Sequence, residues 1–137
     1  MRERALSLWQ PWAWLVVHGH KPLENRPWRT DYRGPLLIHA SKKVDPDIDR
    51  ICRAVSERFG IVIPDRLETG GIVGRVRVTG CIDGSLSPWF RGPFALALAD
   101  AEPLPYRPCL GKQRFFYVDY ESPPTASGLE TQKGAGA

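Results

Sequence analysis

Cysteine, methionine and long apolar runs are scarce in this chain, and each scarcity excludes a class of protein. Three cysteines and one methionine stand among 137 residues. Cys52, Cys81 and Cys109 are odd in number and form no CxxC or Cys/His pair at zinc-like spacing, so neither a disulfide framework nor a zinc site is expected. They read as reduced, mostly buried thiols of a cytoplasmic protein. No apolar stretch approaches the roughly 20 residues of a membrane-spanning helix, and the opening MRERALSLWQPW has no apolar signal-peptide core. A phosphate-cradling glycine loop, a nucleophile elbow and clustered metal ligands are also missing, so no metal or cofactor is expected.

Glycine and proline are plentiful, 13 of each, which implies many turns and short elements. The length suits one compact domain and is too short for two separate cores. That domain is expected over residues 1–121. Residues 122–137, rich in Pro, Ser, Thr, Gly and Ala, read as a tail that cannot repay the entropy of ordering.

Local patterns place the elements. Residues 5–9, ALSLW, alternate as a short strand. Pro11 suits a helix start, and the spacing predicts a helix from Trp12 to His18 with Gly19 as its stop. RGPLLIHAS, 33–41, reads as a turn and a buried central strand. Asp45, Pro46, Asp47 and Asp49 read as a helix start with Asp45 as the N-cap acceptor. The helix that follows carries one apolar stripe, Ile48, Ile51, Cys52, Val55 and Phe59, read as packing, and ends at Gly60. Residues 70–82 alternate as a half-exposed strand in which Gly74 signals a bulge or a close backbone approach. Further strands are expected at 93–99 and 114–120, separated by a proline-rich connection. Five or six strands with two main helices make a small mixed β-barrel of the α+β class the economical arrangement.

Charge and aromatics concentrate at one end. Residues 1–43 hold eight Lys or Arg against three acidic side chains, whereas the remainder holds eleven against twelve. A polyanionic partner and a solvated basic face both fit this asymmetry. Four of five tryptophans lie within the first 28 residues, among His18, His20, Lys21, Arg26 and Arg29, as a single-stranded nucleic acid would require. Trp9 and Trp14 also read as core rings, while Trp12 and Trp28, beside prolines at element boundaries, read as lining a cleft. Lys21 and Glu24 are three apart. In a partly dry pocket they would form a proton shuttle or a nucleophile–base pair, and on a surface only a weak salt bridge.

Residues 6–41, LSLWQPWAWLVVHGHKPLENRPWRTDYRGPLLIHAS, resemble the amino-terminal half of an ASCH (activating signal cointegrator homology) domain, a branch of the PUA-like β-barrels. Gly19, Lys21, Glu24 and Arg26 match that family's G-x-K-x-x-E-x-R signature, and residues 87–118 are similar to its closing strands. The resemblance implies a PUA-like barrel with a cleft against the first helix, and binding of RNA, other single-stranded nucleic acid or a nucleotide. It also implies an alternative. A bacterial subgroup hydrolyses N4-acetylcytidine with a lysine, a threonine and a glutamate; Lys21 matches the lysine, and Glu24 stands where that subgroup has threonine. A ribonuclease is the other enzymatic expectation, with Lys21 and Glu24 as acid and base.

The ligand-binding set expected on these grounds is Trp9, Gln10, Trp12, Lys21, Glu24 and Arg26, followed by Trp28, Tyr32, His39, Ser41 and Arg75. His39 also reads as a satisfied core histidine and Ser41 as a strand-end cap. Arg75 and Arg77 read either as a phosphate track or as a solvated face. Trp89 and Phe90 in SPWFRG read as a hydrophobic lid or a base platform, and Lys112 in LGKQ as a turn lysine.

Overall fold

The computed structural model describes residues 2–120. The elements are β1 (Arg2–Leu8), α1 (Trp12–Val17), β2 (Leu23–Arg26), β3 (Gly34–Ala40), α2 (Ile48–Phe59), β4 (Gly71–Ile82), β5 (Phe94–Pro108) and β6 (Phe115–Asp119). The strands form one sheet in the order β2-β5-β4-β3-β1-β6. β1 and β3 run parallel, and every other neighbouring pair is antiparallel. The sheet curls into a half-barrel around the first helix, so the expected mixed α+β architecture is the one found.

α1 has six residues, too few to hold a helix in water without tertiary support. Packing on two sides supplies that support. Ala13, Val16 and Val17 enter the main core with Leu6, Leu36 and Val76, while Leu15 meets Val55 and Ile63 beneath α2. Gln10 Oε1 accepts the Trp14 N–H at 2.9 Å and so satisfies one of the free donors of the first turn. Gly19, at φ +78°, ends the helix as its position suggested.

Gly74 combines both features its sequence context raised. Pairing with β5 slips between Ile72 and Gly74, and a Cβ at Gly74 would lie 2.6 Å from Val17 Cβ and 2.7 Å from the Glu102 carbonyl oxygen. The bare backbone is what lets α1 settle against β4.

Several expectations need correction. β2 is a strand without a strand signal in its sequence; LENR lacks an apolar alternation and becomes a strand by pairing with β5. The proline-rich connection is instead the second half of β5, which continues to Pro108. β2 pairs only with Phe94 to Ala97, so among the described residues the rest of β5 has no strand on that side, and Pro103 and Pro105 cost no ladder bond there. The N-cap of α2 is Asp47, not Asp45; Asp45 Oδ1 instead accepts the Asp47 N–H at 2.9 Å, two residues earlier, in the turn that leads into the helix. Of the α2 stripe only Val55 is buried, and Phe59 is 36% exposed. The three cysteines are free and half-buried rather than mostly buried. The proposed tail, 122–137, lies outside the described residues.

Candidate functional site

A lysine rarely leaves water without a partner, yet Lys21 is 4% exposed. Two acceptors hold its ammonium: the Leu23 carbonyl at 2.8 Å and Glu24 Oε1 at 3.2 Å. Glu24 Oε2 lies 3.3 Å from Arg26 Nη2, which also donates to the Ser7 carbonyl at 2.8 Å. The strand period of two places Glu24 and Arg26 on one face of β2. The turn after α1, where the Lys21 N–H bonds the Leu15 carbonyl at 3.1 Å, brings the lysine beside them. One carboxylate therefore links two cations, and the pair left open by spacing alone is a buried one.

Cavities open on both sides of this chain of charges. The first, about 370 Å³, has Lys21, Glu24 and Asn25 on one wall and Ile51 and Val55 of α2 on another. Trp12 borders it, its Nε1 donating to Asp45 Oδ2 at 3.1 Å, with Lys21 Nζ 5.5 Å from its ring centre. Across from it Phe59 and Trp89 stack at 4.7 Å and 23°. The exposed arginines Arg50, Arg58 and Arg91 complete the lining. Lys21, Arg50, Arg58 and Arg91 are the basic residues of this lining, and Glu24 is its carboxylate.

Asn25 sets the Trp89 wall. Its Nδ2 donates to the Trp89 carbonyl at 3.0 Å, and its Oδ1 accepts the Arg91 N–H at 2.7 Å and the Gly92 N–H at 3.1 Å. Asn25→Ala is expected to lower stability by about 1–2 kcal/mol, the cost of leaving such groups unpaired, and to speed amide hydrogen exchange at Arg91 and Gly92. Unchanged exchange at those two amides would show that another contact holds the loop.

The second cavity, about 750 Å³, contains Trp9, Arg26, Trp28, His39 and Ser41. His39 is 3% exposed; its Nε2 lies 2.8 Å from the Cys109 carbonyl and its Nδ1 2.8 Å from Ser7 Oγ. A carbonyl only accepts, so Nε2 carries the proton and both ring nitrogens are satisfied. Burial pushes the Cys109 thiol above its ordinary range, against the lowering effect of Arg107 and of the Ile72 backbone bond. Cys52 is raised too, by burial and then by Asp49 and Asp65. Neither thiol is poised as a nucleophile at neutral pH.

An ASCH domain model matches residues 6–92 of this sequence. The chain belongs to the ASCH family. This PUA-like family is generally linked to RNA binding. Activating signal cointegrator 1 of Homo sapiens is 35% identical over 85 residues, which cover 56% of this chain and 14% of that protein. Activating signal cointegrator 1 of Mus musculus is 53% identical over 38 residues, covering 28% of this chain and 6% of that one. The ASCH chain thus spans a small fraction of the curated relatives it matches. A crystal structure of a single-site variant of the ASCH protein of Zymomonas mobilis superposes with a TM-score of 0.52 at 15% identity, covering 84% of this chain and 87% of that one. That likeness is one of fold.

Within this ASCH domain the expected ligand set divides. Trp12, Lys21 and Glu24 line the first cavity, while Trp9, Arg26, Trp28, His39 and Ser41 line the second. Trp9 is no core ring; it is 40% exposed and carries Lys43 Nζ 5.1 Å from its ring centre. Gln10, Tyr32 and Arg75 lie in neither. Gln10 is 2% exposed, with its amide spent on the Glu68 carbonyl at 2.9 Å and on α1. Tyr32 supports Arg4 at 4.1 Å from its ring and donates its hydroxyl to the Pro35 carbonyl. Arg75 makes a two-pronged pair with Glu3, at 2.9 Å from Nη2 to each carboxylate oxygen.

Sequence reasoning missed Asn25 and the α2 contribution of Arg50, Ala54 and Arg58. Their spacing of four residues marks one helix face beside the apolar stripe, and that was the available signal. Among the described residues no group of three or more metal-ligating side chains occurs, and no helix is long and apolar enough to cross a membrane.

Proposed function

We propose that this domain binds RNA or a modified nucleotide, with one nucleobase seated in the cavity over Lys21 and Glu24. The observation that carries the reading is a buried ammonium–carboxylate pair between Trp12 and the stacked Phe59–Trp89 rings. A base offers flat faces and polar edges. Its faces stack on the rings, an exocyclic amine donates to Glu24, and neighbouring phosphates meet Arg50, Arg58 and Arg91. The family's general link to RNA binding supports the same reading.

Fluorescence anisotropy of a labelled single-stranded RNA tests it. Affinity is expected to fall with salt, and Trp89→Ala is expected to weaken binding about tenfold or more, since one base–ring stack contributes roughly 1–3 kcal/mol. An undetectable or salt-insensitive affinity would refute the reading.

A second reading, hydrolysis of an acylated nucleobase or of the RNA strand, draws on the same geometry. Lys21 Nζ and Glu24 Oε1 are 3.2 Å apart, within proton-transfer reach. Mass spectrometry of a short RNA carrying one N4-acetylcytidine, incubated with wild type and with Lys21→Ala, separates the two. Loss of the acetyl group or strand scission by wild type alone makes this an enzyme, whereas an intact RNA leaves binding as the function.

A further inference from the structure

The second cavity has a charge character that the first lacks. Arg26, Lys42, Lys43, Lys112 and Arg114 line it, and no carboxylate does. Basic side chains repel one another when gathered, so such a cluster is normally relieved by acidic neighbours. Here that relief is partial. Arg26 pairs with Glu24, while Lys42, Lys43, Lys112 and Arg114 take part in none of the ion pairs among the described residues. The Arg26 Nε is buried and finds no acceptor among the described residues.

The same cations are set on flat rings. Lys43 Nζ lies 5.1 Å from the centre of the half-exposed Trp9 ring, and Arg114 Cζ lies 4.6 Å from that of Trp28. A groove of about 750 Å³ with unneutralised cations and two indoles matches the chemistry of a nucleic-acid strand, whose phosphates need charge and whose bases need rings. An acidic peptide would match the charge and leave the indoles without a partner.

We infer that this groove is a second contact for single-stranded RNA, taking the phosphodiester backbone of nucleotides that flank the one held in the first cavity. The inference rests on the proposed function and extends it to a footprint of more than one nucleotide. Arg26 lines the groove and Glu24 the first cavity, so the strand crosses the ion pair that joins them.

The test compares wild type with the triple variant Lys42→Ala/Lys43→Ala/Lys112→Ala, three exposed positions whose loss should leave the core intact. A labelled twelve-nucleotide oligouridylate is titrated at several KCl concentrations, and free cytidine is titrated against tryptophan fluorescence. The triple variant is expected to bind the oligomer at least tenfold more weakly at low salt. Its slope of log affinity against log salt should be shallower by about 2, given roughly 0.7 per phosphate contact on single strands. Cytidine affinity is expected to be unchanged. A charge-matched variant lacking Arg53, Arg66 and Arg77 is expected to keep the wild-type slope.

A triple variant with wild-type affinity and slope would overturn the groove and leave the first cavity standing. Equal loss in the charge-matched variant would overturn it too, by showing a general charge effect. Displacement of the oligomer by polyglutamate as readily as by unlabelled RNA would overturn the assignment to nucleic acid. Failure of wild type to bind either cytidine or the oligomer would overturn the groove and the proposed function together.

Discussion

Lys21→Ala is expected to lower the free energy of unfolding by about 3 kcal/mol, the range found when one partner of a buried ion pair is removed. The Lys21 and Glu24 side chains are 5% and 13% exposed, so water does little to replace the lost contact. The substitution strips Glu24 of one of its two cationic partners and leaves the Leu23 carbonyl without its 2.8 Å donor. Lys21→Met keeps most of the stem volume but removes the same charge, and is expected to lose a similar amount. Adding Glu24→Gln to Lys21→Met should cost less than Glu24→Gln costs alone, because the Lys21–Glu24 contact is already gone and only the Arg26 pair remains to be lost. Urea titration of the wild type, the two single variants and the double variant measures this directly. Strictly additive losses would mean that Lys21 and Glu24 act independently. The single substitution should also abolish nucleoside binding in the first cavity at concentrations where the fold persists.

Gly74→Ala comes next, with an expected loss of about 2–3 kcal/mol from overpacking a close-packed contact. The added methyl would sit 2.6 Å from Val17 Cβ and 2.7 Å from the Glu102 carbonyl oxygen. Neither neighbour is the free end of a flexible chain: Val17 is 1% exposed in the core, and the other is backbone. Relief therefore requires α1 to move off β4. Because α1 carries Trp12 at the first cavity, and its Leu15 carbonyl anchors the Lys21 N–H, the variant should weaken ligand binding from a position that lines neither cavity. Thermal melting and a binding titration in parallel check this. A stable variant with normal affinity would show that the bulge absorbs a side chain.

Features legible in the sequence are those set by local backbone chemistry. Gly19 and Gly60 close their helices at positive φ, as any residue without a Cβ readily does. The alternation within β4 is readable over residues 75–79, where one face is buried and the other is not, whereas residues 71–74 are buried on both faces and the slip at Gly74 puts Ile72 in a different core cluster from Val76 and Val78. Where local and tertiary preferences part, the reading fails. LENR has no strand pattern of its own, and the prolines after Ala99 deny the ladder donors that an interior strand would need. β5 accommodates them because, among the described residues, no strand pairs with the outer side of its far half. The stripe on α2 was visible as a period, but a period reports which residues are apolar, not what stands opposite them. Part of the stripe packs on Leu15 and Ile63, and part borders a cavity, so Phe59 stacks on Trp89 instead of joining the core.

By itself the sequence determined the helix stops, the half-exposed strand, the basic and tryptophan-rich first segment, and the short spacing that puts Lys21, Glu24 and Arg26 within reach of one another. Only the tertiary structure decided that the lysine is dry, that Glu24 is shared between two cations, and that the eleven expected ligand residues fall into two cavities and a remainder. Burial and enclosure arise from residues as far apart as Trp12, Arg58 and Trp89. They depend on which surfaces the sheet and helices bring face to face, and no local spacing encodes that.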